Sequence, residues 1–211
     1  MKNNLWQNLL LKRAISAFSL IEISIVLVII GLITGAVFKG QELIDSAKIR
    51  SIAQDFQHYS LSVSTYQEIY QALPGDDPKA TMHFTGTTSG DGNGQITGSE
   101  ADLFWQHLNK ASIINSDKAP ASKLGGLYTI AFQPSAEMPG HWFMLAKEGG
   151  AGLFTPKQAQ ALKNKIDPGN IDPNQGQLIV KDASGAAGKC IQNGHLNLEI
   201  KTAACVVYYR F

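Results

Sequence analysis

Residues 17–38 read Ala17-Phe18-Ser19-Leu20-Ile21-Glu22-Ile23-Ser24-Ile25-Val26-Leu27-Val28-Ile29-Ile30-Gly31-Leu32-Ile33-Thr34-Gly35-Ala36-Val37-Phe38. From Phe18 to Phe38 the only ionisable side chain is Glu22. About 21 residues make roughly 31 Å of helix, enough to cross a hydrocarbon core. Ile and Val are weak helix formers in water, but lipid overrides that preference, because every backbone amide must be satisfied within the segment. The run alone reads as a membrane anchor. Glu22 does not fit a plain anchor: a carboxylate there costs about 2.5–3.5 kcal/mol on insertion scales, and such groups are usually paired and functional. Glu22 either snorkels to the bilayer edge or meets a cation. If the chain were cut just before Phe18, Glu22 would lie one helical turn from a new α-ammonium group.

Downstream of Phe38 no break signal intervenes, and the pattern becomes amphipathic. Ile52, Phe56, Tyr59, Val63, Tyr66 and Tyr70 recur at spacings of four and three, with Lys48, Arg50, Asp55, Gln57 and Glu68 on other faces. A period near 3.5 is compatible with a coiled coil. So many aromatic side chains suit a sheet surface better, so the stripe is expected to pack on the chain's own domain. The helix is expected to span 18–72 and to stop near Leu73, since Pro74-Gly75 follows.

Upstream, residues 1–17 carry Lys2, Lys12 and Arg13 and no acid. A basic segment before an apolar span favours a cytoplasmic amino terminus, which places everything after Phe38 outside the cytoplasm. Without that segment 15 basic and 17 acidic residues remain, a balance of −2, so no general nucleic-acid affinity is expected. The competing reading is a secretory signal cut near Thr34-Gly35-Ala36, but the run is longer than a signal core and flows directly into helix.

Ala17-Phe18-Ser19-Leu20-Ile21-Glu22, after a basic leader and before an intact apolar run, resembles the type IV prepilin processing motif, a family that includes the pseudopilins of type II secretion. Ala17 stands where that family usually has Gly, and the proline that kinks many pilin helices is absent, leaving Gly31, Gly35 and Gly40 as soft points. The resemblance implies removal of residues 1–17 by a prepilin peptidase that cuts between Ala17 and Phe18 and methylates the Phe18 amine. It implies that Glu22 pairs with a neighbouring subunit's amino terminus during assembly. The implied partners are identical or related pilin subunits, the peptidase, inner-membrane lipid and an inner-membrane assembly platform. The implied location is the inner membrane, then a filament at the cell surface.

After the turn Pro74-Gly75-Asp76-Asp77-Pro78 comes Ser89-Gly90-Asp91-Gly92-Asn93-Gly94-Gln95-Ile96, followed by Glu100. On the EF-hand spacing Ser89, Asp91 and Asn93 take positions one, three and five, Gly94 the sharp turn, and Glu100 the twelfth place. This is a candidate calcium loop with Ser as a weak first ligand; the alternative is a glycine-rich turn whose Asp and Asn cap backbone. Ser99 is expected to cap a helix over 100–111 that buries Leu103, Phe104, Leu108 and Ala111. Trp105 and His107 lie beside that face, and His107 reads as a boundary residue.

Strands are expected at Leu127–Phe132, His141–Ala146, Gln177–Lys181, Leu196–Ile200 and Cys205–Tyr209, with a helix after Thr155-Pro156 opened by a Thr155/Gln158 capping box. Cys190 and Cys205, the two cysteines, should pair in an oxidising compartment; two reduced core thiols are the alternative. The fold class expected is α+β: residues 18–72 as one long helix, 18–38 of it transmembrane, packed on an antiparallel head domain over 73–211. His58, His83, His107, His141 and His195 are scattered, and neither HExxH nor GxSxG occurs, so an enzyme is not expected. Three classes follow: a filament subunit, a pseudopilin, or a membrane-anchored periplasmic binding protein that never polymerises.

Overall fold

A computed structural model describes residues 19–211; the leader, and with it Ala17 and Phe18, lies outside the described residues. The elements in order are α1 (Leu20–Tyr70), α2 (Ala80–His83), α3 (Glu100–Lys110), β1 (Leu127–Gln133), β2 (Gly140–Ala146), α4 (Pro156–Ile166), β3 (Leu178–Asp182), β4 (Ile191–Gln192), β5 (His195–Leu196) and β6 (Cys205–Arg210). This is the α+β arrangement expected: a long first helix, then an antiparallel sheet.

The chain divides into two compact units, the first ending at Ile44 and the second running Asp45–Phe211. In the first, every side chain from Ser19 to Lys39 is exposed. An 18-residue window there has mean hydropathy 2.6, so this part of α1 is long and apolar enough to cross a membrane. Ser24 and Thr34 return their hydroxyls to the carbonyls of Leu20 and Ile30, at 2.8 and 2.7 Å, which removes their polarity from an apolar surface.

In the second unit the sheet order is β1-β2-β6-β3, with all pairs antiparallel. The α1 stripe lies on one face of it. Ile52, Phe56, Val63 and Tyr66 are fully buried, with Tyr59 and Tyr70 half-buried at the margin. Phe56 stacks on Tyr209 at 4.8 Å and meets Tyr128 edge-on at 5.3 Å. Tyr59 meets Trp105 and Tyr128 edge-on at 5.2 and 5.1 Å. Such pairs contribute about 0.5–1.5 kcal/mol each beyond area burial, which explains aromatic residues in the seam. Tyr128 donates to Asp55 Oδ2 on α1 at 2.9 Å, and burial followed by that carboxylate pushes the phenol well above its ordinary range.

Several boundaries differ from the sequence reading. The α1 helix ends at Tyr70, because Gln71 takes a left-handed conformation with φ 55°. Ser99 makes no side-chain cap: its carbonyl accepts the Asp102 and Leu103 amides, while the Glu100 carboxylate reaches back to accept Thr97 N–H at 3.0 Å. Trp105 and His107 are core residues of α3, while Leu103 and Ala111 are half-buried. No strand covers Leu196–Ile200: Asn197 starts a turn that accepts Glu199 and Ile200 amides, leaving the two-residue pair β4–β5. The Thr155/Gln158 capping box is formed on α4, and Cys190 is joined to Cys205.

Candidate functional site

Glu22 sits in the first turn of α1, exposed, with Oε2 3.4 Å from the Ser19 backbone N–H. Ser19 O accepts the Glu22 and Ile23 amides, so the helix begins at this point. The first amides of a helix lack intrahelical partners, and a carboxylate is favourable beside them. Glu22 therefore faces the helix start, where a cation placed at that end would meet it.

The second candidate site belongs to the head and is made by two loop segments pressed together. Gly75 has φ +90°, and a Cβ there would fall 2.5 Å from the Glu100 carbonyl oxygen. A Cβ on Gly90 would fall 2.4 Å from the Asp76 Cα. Gly75 lets the turn pack on the start of α3, and Gly90 lets residues 89–94 cross directly over the 75–77 turn, where its N–H donates to Asp77 O at 2.9 Å. The crossing brings Asp76 beside Asp91, and the start of α3 adds Glu100. One carboxylate oxygen from each lies within 4.8 Å of the others.

Asp76 and Glu100 are buried, 4% and 7% exposed, while Asp91 is exposed. Asp76 accepts Asn93 N–H at 3.1 Å and Gly94 N–H at 2.8 Å. Glu100 accepts Asp91 N–H at 3.1 Å and Thr97 N–H at 3.0 Å. Burial is the main cause that raises the Asp76 carboxyl above its ordinary value; a hydrogen bond with Asp91 and the Glu100 charge add to it, and the loop amides oppose it. Three acids gathered this closely repel one another when ionised, a repulsion that a proton shared by Asp76 and Asp91 or a hard divalent cation would offset.

Of the four residues on the EF-hand spacing, Asp91 and Glu100 come together. Ser89 does not join them: its hydroxyl accepts Thr81 N–H and bonds Thr81 Oγ1, both at 3.2 Å. Asn93 turns its amide on Asp91 Oδ2 at 2.8 Å and accepts Gln95 N–H at 2.7 Å. Asp76, which lies outside that spacing, joins Asp91 and Glu100 instead. The Pro74-Gly75-Asp76 turn was the available signal, but local spacing gives no sign that it folds back on the later loop.

Asp77 braces the same turn by accepting Tyr66 Oη at 2.8 Å, Lys79 N–H at 2.7 Å and His83 Nδ1 at 3.1 Å. A polar cleft of about 440 Å³ adjoins, lined by Gln67, Gln71, Leu73, Asp76, Pro78 and Gly92.

No family model matches the chain, and no curated protein matches it. Among solved structures the chain is similar to the major type IV pilin PilA1 from Clostridium difficile, at 15% identity and TM-score 0.41, covering 79% of this chain and 95% of that one. It is also similar to TcpA, a type IV pilin from the Vibrio cholerae El Tor biotype, at 14% identity and TM-score 0.37, covering 77% of this chain and 98% of that one. Both likenesses are distant.

Proposed function

We propose that the chain is a structural subunit of a type IV pilus-like filament. In this reading it enters the inner membrane as a prepilin, is cut between Ala17 and Phe18, is methylated on Phe18, and polymerises with identical or related subunits on an inner-membrane assembly platform. The observation that carries the reading is the exposed apolar part of α1, interrupted only by Glu22 and opened by the Ala17–Glu22 hexamer.

Assembly exchanges lipid contacts of that surface for contacts with its counterparts. In so dry a core an unpaired carboxylate or ammonium is costly, and each offsets the desolvation of the other. The Glu22 carboxylate then selects the height at which an incoming amine is accepted. Glu22→Ala, with Phe18 processing intact, is expected to leave mature subunits in the inner membrane. Their incorporation should fall at least about tenfold, which corresponds to about 1.4 kcal/mol of lost attraction per subunit. Normal incorporation of that variant sinks the register role. Length of the assembly at the surface separates a pilus from the short piston of a pseudopilin.

We also propose that Asp76, Asp91 and Glu100 hold calcium, which the convergence of their oxygens favours. Calcium at about 100 times its Kd would stabilise the head by about 2.7 kcal/mol. The melting temperature should therefore rise by several degrees on replacing a chelator with calcium, and Asp76→Asn or Glu100→Gln should abolish the rise. Equal melting of the parent chain in both buffers refutes the calcium reading and leaves the filament reading standing.

A further inference from the structure

Two imidazoles hold the ends of the loop that carries Asp76 and Asp91. At the start, Gly75 donates its N–H to His107 Nδ1 on α3 at 2.9 Å. That nitrogen is therefore an acceptor, so the ring proton sits on Nε2, which donates to Thr88 O at 2.8 Å. His107 is 0% exposed, and its ring lies parallel to that of Tyr66 at 6.2 Å. At the end of the loop, Ile96 donates its N–H to His141 Nε2 on β2 at 3.2 Å. The His141 ring sits between Phe132 and Phe211, at 5.2 and 5.9 Å.

A nitrogen lone pair accepts either a backbone N–H or a proton. Protonation of either ring at its accepting nitrogen turns a hydrogen bond into two N–H groups facing each other, in surroundings where an unpaired buried donor is costly. We propose that His107 and His141 form an acid-operated clasp, which holds residues 75–96 against α3 and β2 while neutral and releases them when protonated.

Burial, rather than any neighbouring charge, favours this direction. Burial lowers the titration of both rings. Against it, at His107, stand the Thr88 carbonyl and the Asp77 carboxylate. Asp77 is already engaged by Tyr66 of α1 and His83 of α2. At His141 burial is the single cause of the shift, and the packed groups are the two phenyl rings.

The closed loop binds fewer protons than the open one. Its hold is therefore complete above the ordinary histidine value of about 6.5, and weakens as pH falls from there toward the lowered values of the closed state. Over that window each ring multiplies the opening constant by up to about tenfold per pH unit. The clasp uses none of the three carboxylates as its titrating group, and it operates with or without a cation.

The test is amide hydrogen exchange on the full chain in detergent micelles with a chelator present, from about pH 7.5 to about pH 5. After correction for intrinsic exchange, protection at Gly75 and Ile96 is expected to fall at least about tenfold, while Leu162 in α4 is unchanged. In His107→Gln/His141→Gln, whose side chains accept a hydrogen bond without titrating, protection is expected to stay high and lose its pH dependence. Should that variant not fold, ring nitrogen titration of the parent chain decides: both rings should protonate below about 6.5 in step with the loss of protection. The proposal is overturned by protection at Gly75 and Ile96 that is flat to about pH 5, by a fall shared with α4, by rings that titrate at about 6.5 with the loop unmoved, or by a folded variant that keeps the pH dependence.

Discussion

Lys163→Met is expected to destabilise the head by about 3–5 kcal/mol, the range for removing one partner from a buried pair. The Lys163 side chain is 1% exposed. Its ammonium donates to Asp167 Oδ2 at 3.1 Å, Gln175 O at 2.6 Å and Leu178 O at 2.7 Å, so all three protons are used. Asp167 in turn accepts the Gln177 and Leu178 amides at 3.1 and 2.9 Å. One cation therefore stitches the end of α4, the 167–176 loop and the start of β3 together. Methionine keeps most of the volume and removes all of these bonds, leaving two carbonyls and a carboxylate short of their donor. Urea unfolding should show a lower midpoint with an unchanged slope. A loss under about 1 kcal/mol would mean that the buried ammonium contributes no more than an exposed one.

Replacing both Cys190 and Cys205 by Ala is expected to remove about 3 kcal/mol, the chain-entropy value for a loop of their 15-residue separation. The effect should be uneven. The bridge ties the β4–β5 pair, two residues to a strand, to β6 inside the sheet. A pair that short does not hold itself together in water. Asp182 adds three bonds to the same segment, accepting Gly188, Cys190 and Ile191 amides at 3.1, 2.7 and 3.2 Å. Hydrogen exchange in residues 191–204 should therefore rise first, ahead of β2 and β6. Uniform exchange at parental rates across that segment would show that the Asp182 bonds alone suffice.

The parts of this fold that the sequence made legible are those set by period and local chemistry. The α1 stripe is visible because its apolar side chains return every three or four residues, and the sheet it covers is foretold by the aromatics in it. The α4 start is visible because Thr155, Pro156 and Gln158 form a local signal. What escaped is nonlocal. Nothing near Lys163 in sequence marks it as buried, because its acceptors Gln175 and Leu178 come from a later loop and strand. Asp76 lies outside the spacing that picked out Asp91 and Glu100, and joins them only where Gly90 lets two loops cross. His107 reads as a boundary residue in the sequence because its partners, Gly75 and Thr88, are set by that same crossing. The Leu196–Ile200 stretch alternates apolar and polar side chains as a strand does, yet the Asn197 carboxamide oxygen offers its own backbone a turn instead.

A filament subunit of the kind proposed must mature to expose a new amine that meets Glu22. Mass spectrometry of the amino terminus of the protein purified from cells with an active prepilin peptidase tests it most directly. A chain that begins at Phe18 and carries one methyl group on its amine is expected. A chain that still begins at Met1 contradicts it and leaves a permanently tethered domain.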